Sequence, residues 1–104
     1  MRKIDLSEFK VMVDGEATPY ETKESLVNVL FAKGSGGTEL MKRHAIANKI
    51  LNGGETLLLE DAEYAIFMEG FNTVTSFGRN DVEFVRRILD AEKVEVVEAP
   101  NETA

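Results

Sequence analysis

The 104-residue chain contains no cysteine and no tryptophan, and it has a single histidine. Without cysteine there can be no disulfide, no thiolate nucleophile and no cysteine-held metal. His44 alone cannot build a histidine metal cluster, and no acid at a fixed spacing is placed to orient it as a base. On the apolar side of its helix it reads as a residue at the core's edge. No segment approaches the roughly 18 apolar residues that a membrane-crossing helix needs. The opening MRKIDLSEFK lacks the apolar stretch of a signal peptide, so the expected compartment is the cytoplasm. Basic residues are scarce, 12 against 19 acids, for a net charge of −7. That balance argues against broad binding of nucleic acid, which needs a basic footprint. It suits a protein that stays in solution or meets a basic partner.

What is present is enough for one ordinary domain. Hydrophobic residues make up 43% of the chain, and a chain of this size buries roughly 65% of its unfolded surface. One domain is expected over residues 1–99, followed by a polar tail over 100–104. Phe9, Val11 and Val13 alternate with Lys10, Met12 and Asp14, the period of a half-buried strand. Asp14-Gly15 supplies positive φ for a tight turn, and Ala17–Tyr20 returns as an edge strand that tolerates Pro19. Four helices follow. The first runs over about 23–32, capped by Thr22 and carrying Leu26, Val29 and Leu30 on one face. The second starts at Thr38, with Leu40, His44, Ala47 and Leu51 as its stripe, widened by Met41, Ala45, Ile46 and Ile50, and Lys42, Arg43 and Lys49 facing outward. Residues 56–59 are a short aliphatic strand or the extended entry to helix three, and Leu59 is expected as a hydrophobic staple there. The third helix opens on Glu60, Asp61 and Glu63 and carries Tyr64, Phe67, Phe71 and Val74, with Gly70 inside at a cost of about 1 kcal/mol unless a neighbour packs close. The fourth, entered through Asn80 and Glu83, carries Val82, Val85 and Leu89, flanked by Phe84 and Ile88, with Arg86, Arg87 and Asp90 outward, and a C-terminal strand is expected over 93–98. The expected core is Val11, Val13, Leu26, Leu30, Leu40, Ala47, Leu51, Leu58, Phe67, Phe71, Val85 and Leu89.

Several stretches invite a chemical reading. Lys33-Gly-Ser-Gly-Gly-Thr looks like a phosphate loop, but Glu39 follows Thr38 where a P-loop carries lysine immediately before its threonine, and a helix precedes the loop where a P-loop has a strand. It reads as a hinge. Glu60, Asp61 and Glu63 lack the alternating spacing of a calcium loop and suit a helix start, where carboxylates meet the dipole. Helices three and four, residues 61–91, have the outline of a helix-turn-helix, with Arg86 and Arg87 available. The end that would enter the groove carries Asp81 and Glu83, which phosphate repels. Charge is segregated: Lys33, Lys42, Arg43 and Lys49 against Glu39 give residues 33–49 a net +3, while Glu55, Glu60, Asp61, Glu63 and Glu69 give residues 55–69 a net −5. These segments either lie against each other or face a second copy.

The order of pieces also carries a resemblance. It runs from Lys3-Ile-Asp-Leu-Ser7 through Asp14-Gly15, Glu24-Ser-Leu-Val-Asn-Val-Leu30 and the basic helix with Arg43, Ala45 and Lys49. It continues through Leu57-Leu-Leu-Glu-Asp-Ala-Glu-Tyr64 to Val85-Arg-Arg-Ile-Leu-Asp90. This resembles a loose group of small acidic proteins encoded by tailed phages and prophages. The resemblance implies a bacterial cytoplasm and a role in assembly or in binding a host protein. It transfers no functional residue.

The expected protein is therefore α+β: an N-terminal β-hairpin, about four short helices and a C-terminal strand. Its expected role is that of a non-enzymatic protein-interaction module with a phage or host protein as partner, and self-association to a homodimer is one form of it. The expected contact faces are Lys42, Arg43 and Lys49 on one side and Glu60, Asp61 and Glu63 on the other. No catalytic residue, cofactor or metal is assigned. The alternative is a DNA-linked regulator, acting through residues 61–91 or as an acidic mimic of DNA.

Overall fold

The computed structural model describes residues 1–94, and they form an α+β fold. Strand β1 (Arg2–Asp5) is followed by the hairpin β2 (Lys10–Val13) and β3 (Glu16–Pro19). Helices α1 (Thr22–Leu30) and α2 (Gly37–Asn52) precede β4 (Thr56–Leu59) and α3 (Asp61–Phe71). A short 3-10 turn (Arg79–Asp81) leads into α4 (Val82–Leu89), and β5 (Glu92–Lys93) closes the series. β1 is central in a three-stranded antiparallel sheet, with β4 on one side and β5 on the other. The hairpin is a separate two-stranded sheet.

The alternation along β1 and β4 sets which residues enter the core. Ile4 points inward from β1, and Leu57 and Leu59 from β4, while Leu58 faces out. Leu26, Val29 and Leu30 from α1, Ile46 and Ile50 from α2, and Phe67 and Phe71 from α3 meet them. Phe84, Ile88 and Ala91 complete the cluster from α4 and its exit. Gly70 lets α3 approach α1: a Cβ there would lie 2.3 Å from the Val29 carbonyl oxygen and 2.9 Å from that of Leu30. Close packing, not helix weakness, explains this glycine.

The hairpin turns as its sequence demands. Asp14 (φ 51°) and Gly15 (φ 81°) both take positive φ, the requirement of a two-residue primed turn. The hairpin's base is anchored by its aromatic residues, and a further hydrogen bond reaches Met12 nearer the turn. The Phe9 and Tyr20 rings stack 4.8 Å apart, Tyr20 meets Phe84 at 5.4 Å, and the Arg87 guanidinium lies 4.6 Å from the Phe9 ring centre. Tyr20 donates a 2.6 Å hydrogen bond to Asp81, and Asn80 donates to the Met12 carbonyl at 3.2 Å. Beyond this base both strands are mostly exposed.

Several expectations are corrected. β1 was not foreseen. Thr22 is the first residue of α1 and is not its cap, since Glu21 holds that place, and α2 begins at Gly37 behind Gly36. The 3-10 turn displaces the expected Asn80–Glu83 cap, and Asp81 instead accepts a hydrogen bond from the Gly78 N–H at 2.8 Å. Three apolar stripes are rotated relative to the expected ones. α2 buries Ile46, Ala47 and Ile50 and exposes Leu40, His44 and Leu51. β4 buries Leu57 and Leu59 and exposes Leu58, and α4 buries Phe84 and Ile88, leaving Val85 half-buried and Leu89 exposed. Val11 is half-buried and Val13 exposed. Of the expected C-terminal strand, only residues 93–94 fall among the described residues, and the tail over 100–104 lies outside them.

Candidate functional site

The basic and acidic segments lie against each other. Lys49 on α2 reaches Glu63 on α3 at 2.7 Å, and the same carboxylate oxygen accepts the Glu60 N–H at 2.9 Å. Glu63 therefore caps its own helix and ties it to α2. Glu69 takes Arg43 at 2.9 Å and lies 3.7 Å from Lys33. Lys42 pairs within its own helix with Glu39 at 3.1 Å. Asp61 lies 3.4 Å from the Met1 amino group, and Glu60 forms no salt bridge among the described residues. The charges thus close a seam between helices, and little of them remains for a partner.

Arg43 departs furthest from expectation. Placed outward by sequence reading, it is 1% exposed. Its guanidinium donates to the Ile66 carbonyl at 3.2 Å and to Glu69, while its Nε has no partner. It occupies position 43 of a 43–46–47–50 inward face, so helix geometry, not charge, decides its direction. Its long stem fills apolar space while the head reaches the rim of α3.

Two depressions flank α4. The first, about 380 Å³, is lined by Lys3, Asp5, Thr56, Arg86, Arg87, Asp90 and Glu92. Arg86, Arg87 and Asp5 are paired within the chain, while Lys3, Asp90 and Glu92 form no salt bridge among the described residues. Arg86 and Arg87 both bond Glu83, with contacts of 2.6–3.0 Å, and Arg87 donates to the carbonyls of Asp5 and Ser7 at 3.1 and 2.7 Å. The Arg86 and Arg87 hydrogen bonds hold the Glu83 carboxyl below the ordinary carboxylate range. Hydrogen bonds from Ser7 do the same for Asp5. Neither carboxyl is poised to shuttle a proton near neutrality, which is what general acid or base catalysis asks of it. Among the described residues no group of three or more histidine, aspartate or glutamate side chains is placed to hold a metal ion.

The second depression is apolar. It is a groove of about 470 Å³ along the outer side of α4, formed by Phe77, Val82, Val85 and Leu89 with Asp81, Arg86 and Asp90 at its rim. Val82 is 64% exposed and Leu89 56%. The sequence reading puts Val82, Val85 and Leu89 on the stripe of this helix and assigns Val85 and Leu89 to the core. Phe84, Ile88, Val85, Leu89 and Val82 follow one another around a single apolar arc of roughly 160° at 3.6 residues per turn. The core covers the Phe84–Ile88 edge of that arc and leaves the Val82–Leu89 edge exposed.

The helix-turn-helix outline does not survive as a DNA-reading device. Residues 72–78 and a 3-10 turn separate α3 from α4, where such motifs use three or four residues. Glu83, which takes hydrogen bonds from both Arg86 and Arg87, would compete with a phosphate for them. No helix among the described residues is long and apolar enough to cross a membrane. Comparison with known proteins finds no matching family model, no similar curated protein and no similar solved structure.

Proposed function

We propose that this protein is a non-enzymatic interaction module that docks a protein partner through the outer face of α4. The observation that carries this reading is the apolar groove of Phe77, Val82, Val85 and Leu89 with charged residues at its rim. A contiguous apolar patch rimmed by polar residues is the usual mark of a protein-binding surface. The charged faces expected from sequence play a secondary part, because Lys42, Arg43, Lys49 and Glu63 are bonded within the chain. The resemblance to small acidic phage and prophage proteins favours a partner in phage assembly or in the bacterial host.

A photo-crosslinking residue placed at Leu89, compared with one at Lys42 on the far polar helix, tests the proposal in cells. Crosslinks to protein concentrated at position 89 support it. Equal yields from the two positions, or none from 89, would remove it.

A further inference from the structure

Among the described residues the two sheets have four outer edges, and three of them are blunted. β5 is two residues long, and both are charged. β3 ends in Pro19, which has no N–H to offer. β2 has its Met12 carbonyl engaged by Asn80 at 3.2 Å. β4, at one edge of the three-stranded sheet, carries Thr-Leu-Leu-Leu with no charge and no proline. Native proteins protect sheet edges because a bare one is a template for another strand. We infer that the β4 edge is a docking site for an extended, basic segment of a partner protein, which joins the sheet as its fourth strand. No residue of β4 lines the groove beside α4, so this is a separate surface.

The ladder fixes which backbone groups are free. Leu6 donates to the Glu55 carbonyl at 2.6 Å, and bonding alternates along an antiparallel pair. In the observed register, Ile4 with Leu57 and Arg2 with Leu59 are then the bonded pairs. Thr56 and Leu58 turn their N–H and C=O groups the other way, and neither forms a further backbone hydrogen bond among the described residues. Both residues are exposed, Leu58 by 40%. Donors and acceptors thus face outward at the spacing of a strand, beside an open leucine. Carboxylates bracket them. Glu55 precedes the strand and Glu60 follows it, both exposed and without a salt bridge among the described residues. Lys3, opposite Leu58 in the register, lies on the β1 side, and Lys23 is held by the Gly53 carbonyl at 2.5 Å. These charges select the occupant. A second copy, paired β4 to β4 about a two-fold at Leu57, would set Thr56 against Leu58 of the other copy. Glu55 would then lie beside the other copy's Glu60 at both ends, like charge on like. A strand with lysine or arginine at its ends meets opposite charges instead.

Amide NMR of the full chain with a synthetic strand, Lys-Val-Thr-Val-Lys blocked at both ends, reads this directly. So short an edge binds weakly, and a dissociation constant on the order of 0.1–1 mM is expected. At ~5 mM peptide, hydrogen exchange at Thr56 and Leu58 should slow about fivefold or more, while Leu57 and Leu59, already bonded to β1, change little. Glu-Val-Thr-Val-Glu should bind about tenfold more weakly. Glu55→Lys should lower affinity for the lysine peptide about threefold to tenfold and raise it for the glutamate peptide. Leu58→Pro removes one outward donor without touching the ladder to β1, and should weaken binding about tenfold, with the unfolding midpoint as its control. Should that variant fail to fold, the exposed Glu55→Lys still decides. Equal binding of the two peptides, or no slowing at Thr56 and Leu58 at ~5 mM, overturns the inference. So do shifts confined to Val82, Val85 and Leu89. Slowing at Thr56 and Leu58 that follows protein concentration without peptide assigns the edge to a second copy and overturns the partner strand. Crosslinking from position 89 does not depend on Glu55 or Leu58, so the α4 reading stands or falls apart from this one.

Discussion

The seam between α2 and α3 and the outer face of α4 handle exposed chemistry in opposite ways. Across the seam, cations from one helix meet carboxylates from the other: Lys49 on Glu63, and Arg43 with Lys33 on Glu69. A segment of net +3 and one of net −5 cancel most of each other. α4 is the reverse. Its charges close on themselves through Glu83, while Val82 and Leu89 meet water. Charge patterning in this chain assembles the fold, and the unfinished surface is the apolar one. Surface ion pairs of the seam's kind contribute little each, about 0–1 kcal/mol. Apolar groups left in water hold free energy that only a partner can release, on the order of 25 cal/mol per Å² covered.

The two sides of α4 give the largest expected contrast. Phe84→Ala removes a ring packed against Tyr20 and Phe77 in the core and should cost about 3–5 kcal/mol in unfolding free energy. Leu89→Ser, one turn on but outside, should change stability by less than about 0.5 kcal/mol in the monomer. Chemical denaturation of both variants at low concentration measures the difference. Equal losses would mean that the groove is part of the core, and the comparison would break.

Gly70→Ala comes next. In an open helix this change stabilises by about 1 kcal/mol. Here the new methyl would meet backbone carbonyls of α1 at 2.3 and 2.9 Å, and backbone cannot swing aside as a side chain can. A loss of about 3 kcal/mol is expected, at the upper end of what overpacking costs, and a gain in the unfolding midpoint would show that α1 and α3 do not approach as described. The seam itself is sharpened by Arg43→Met. Methionine keeps most of the volume and removes a buried cation whose Nε has no partner. The expected result is between neutral and about 1 kcal/mol more stable, since apolar isosteres commonly replace buried ion pairs without loss. Arg43→Ala, which leaves a cavity, should lose about 2–4 kcal/mol by the same measurement.

Much of this architecture is legible in the residues. The hairpin reads from alternation and Asp14-Gly15, whose positive φ only a few residue types accept cheaply. The paired segments read from charge, and the number of helices from their stops. Rotation about each helix axis was harder. On α2, Leu40, His44, Ala47 and Leu51 match a helical stripe as well as Arg43, Ile46, Ala47 and Ile50 do, and only tertiary packing selects the second. A charged residue is ordinarily assigned outward, which hid Arg43. On α4 the apolar arc is wider than the chain covers, and the sequence alone does not say which edge of it is buried and which is left open. β1 escaped notice because three of its four residues are charged and only Ile4 marks the inward face.

The smallest expected effect tests how the hairpin's base is tied to the start of α4. The Tyr20 phenol is pushed up to about 12, first by burial and then by its hydrogen bond to Asp81, with a smaller opposing contribution from Ser25. In the unfolded chain a phenol ionises near 10. The folded state therefore holds this proton more tightly, and its contribution is complete below pH 10 and lost as pH rises from 10 to 12. Because the ring is partly open to solvent, that contribution is about 1 kcal/mol or less. Ultraviolet titration should show one tyrosine ionising near pH 12, and Tyr20→Phe should abolish that step. Asp81→Asn keeps the ring buried but removes the charge beside it, so the step should move part of the way back towards 10. A wild-type Tyr20 that ionises near 10 would mean that the hairpin's base moves free of α4.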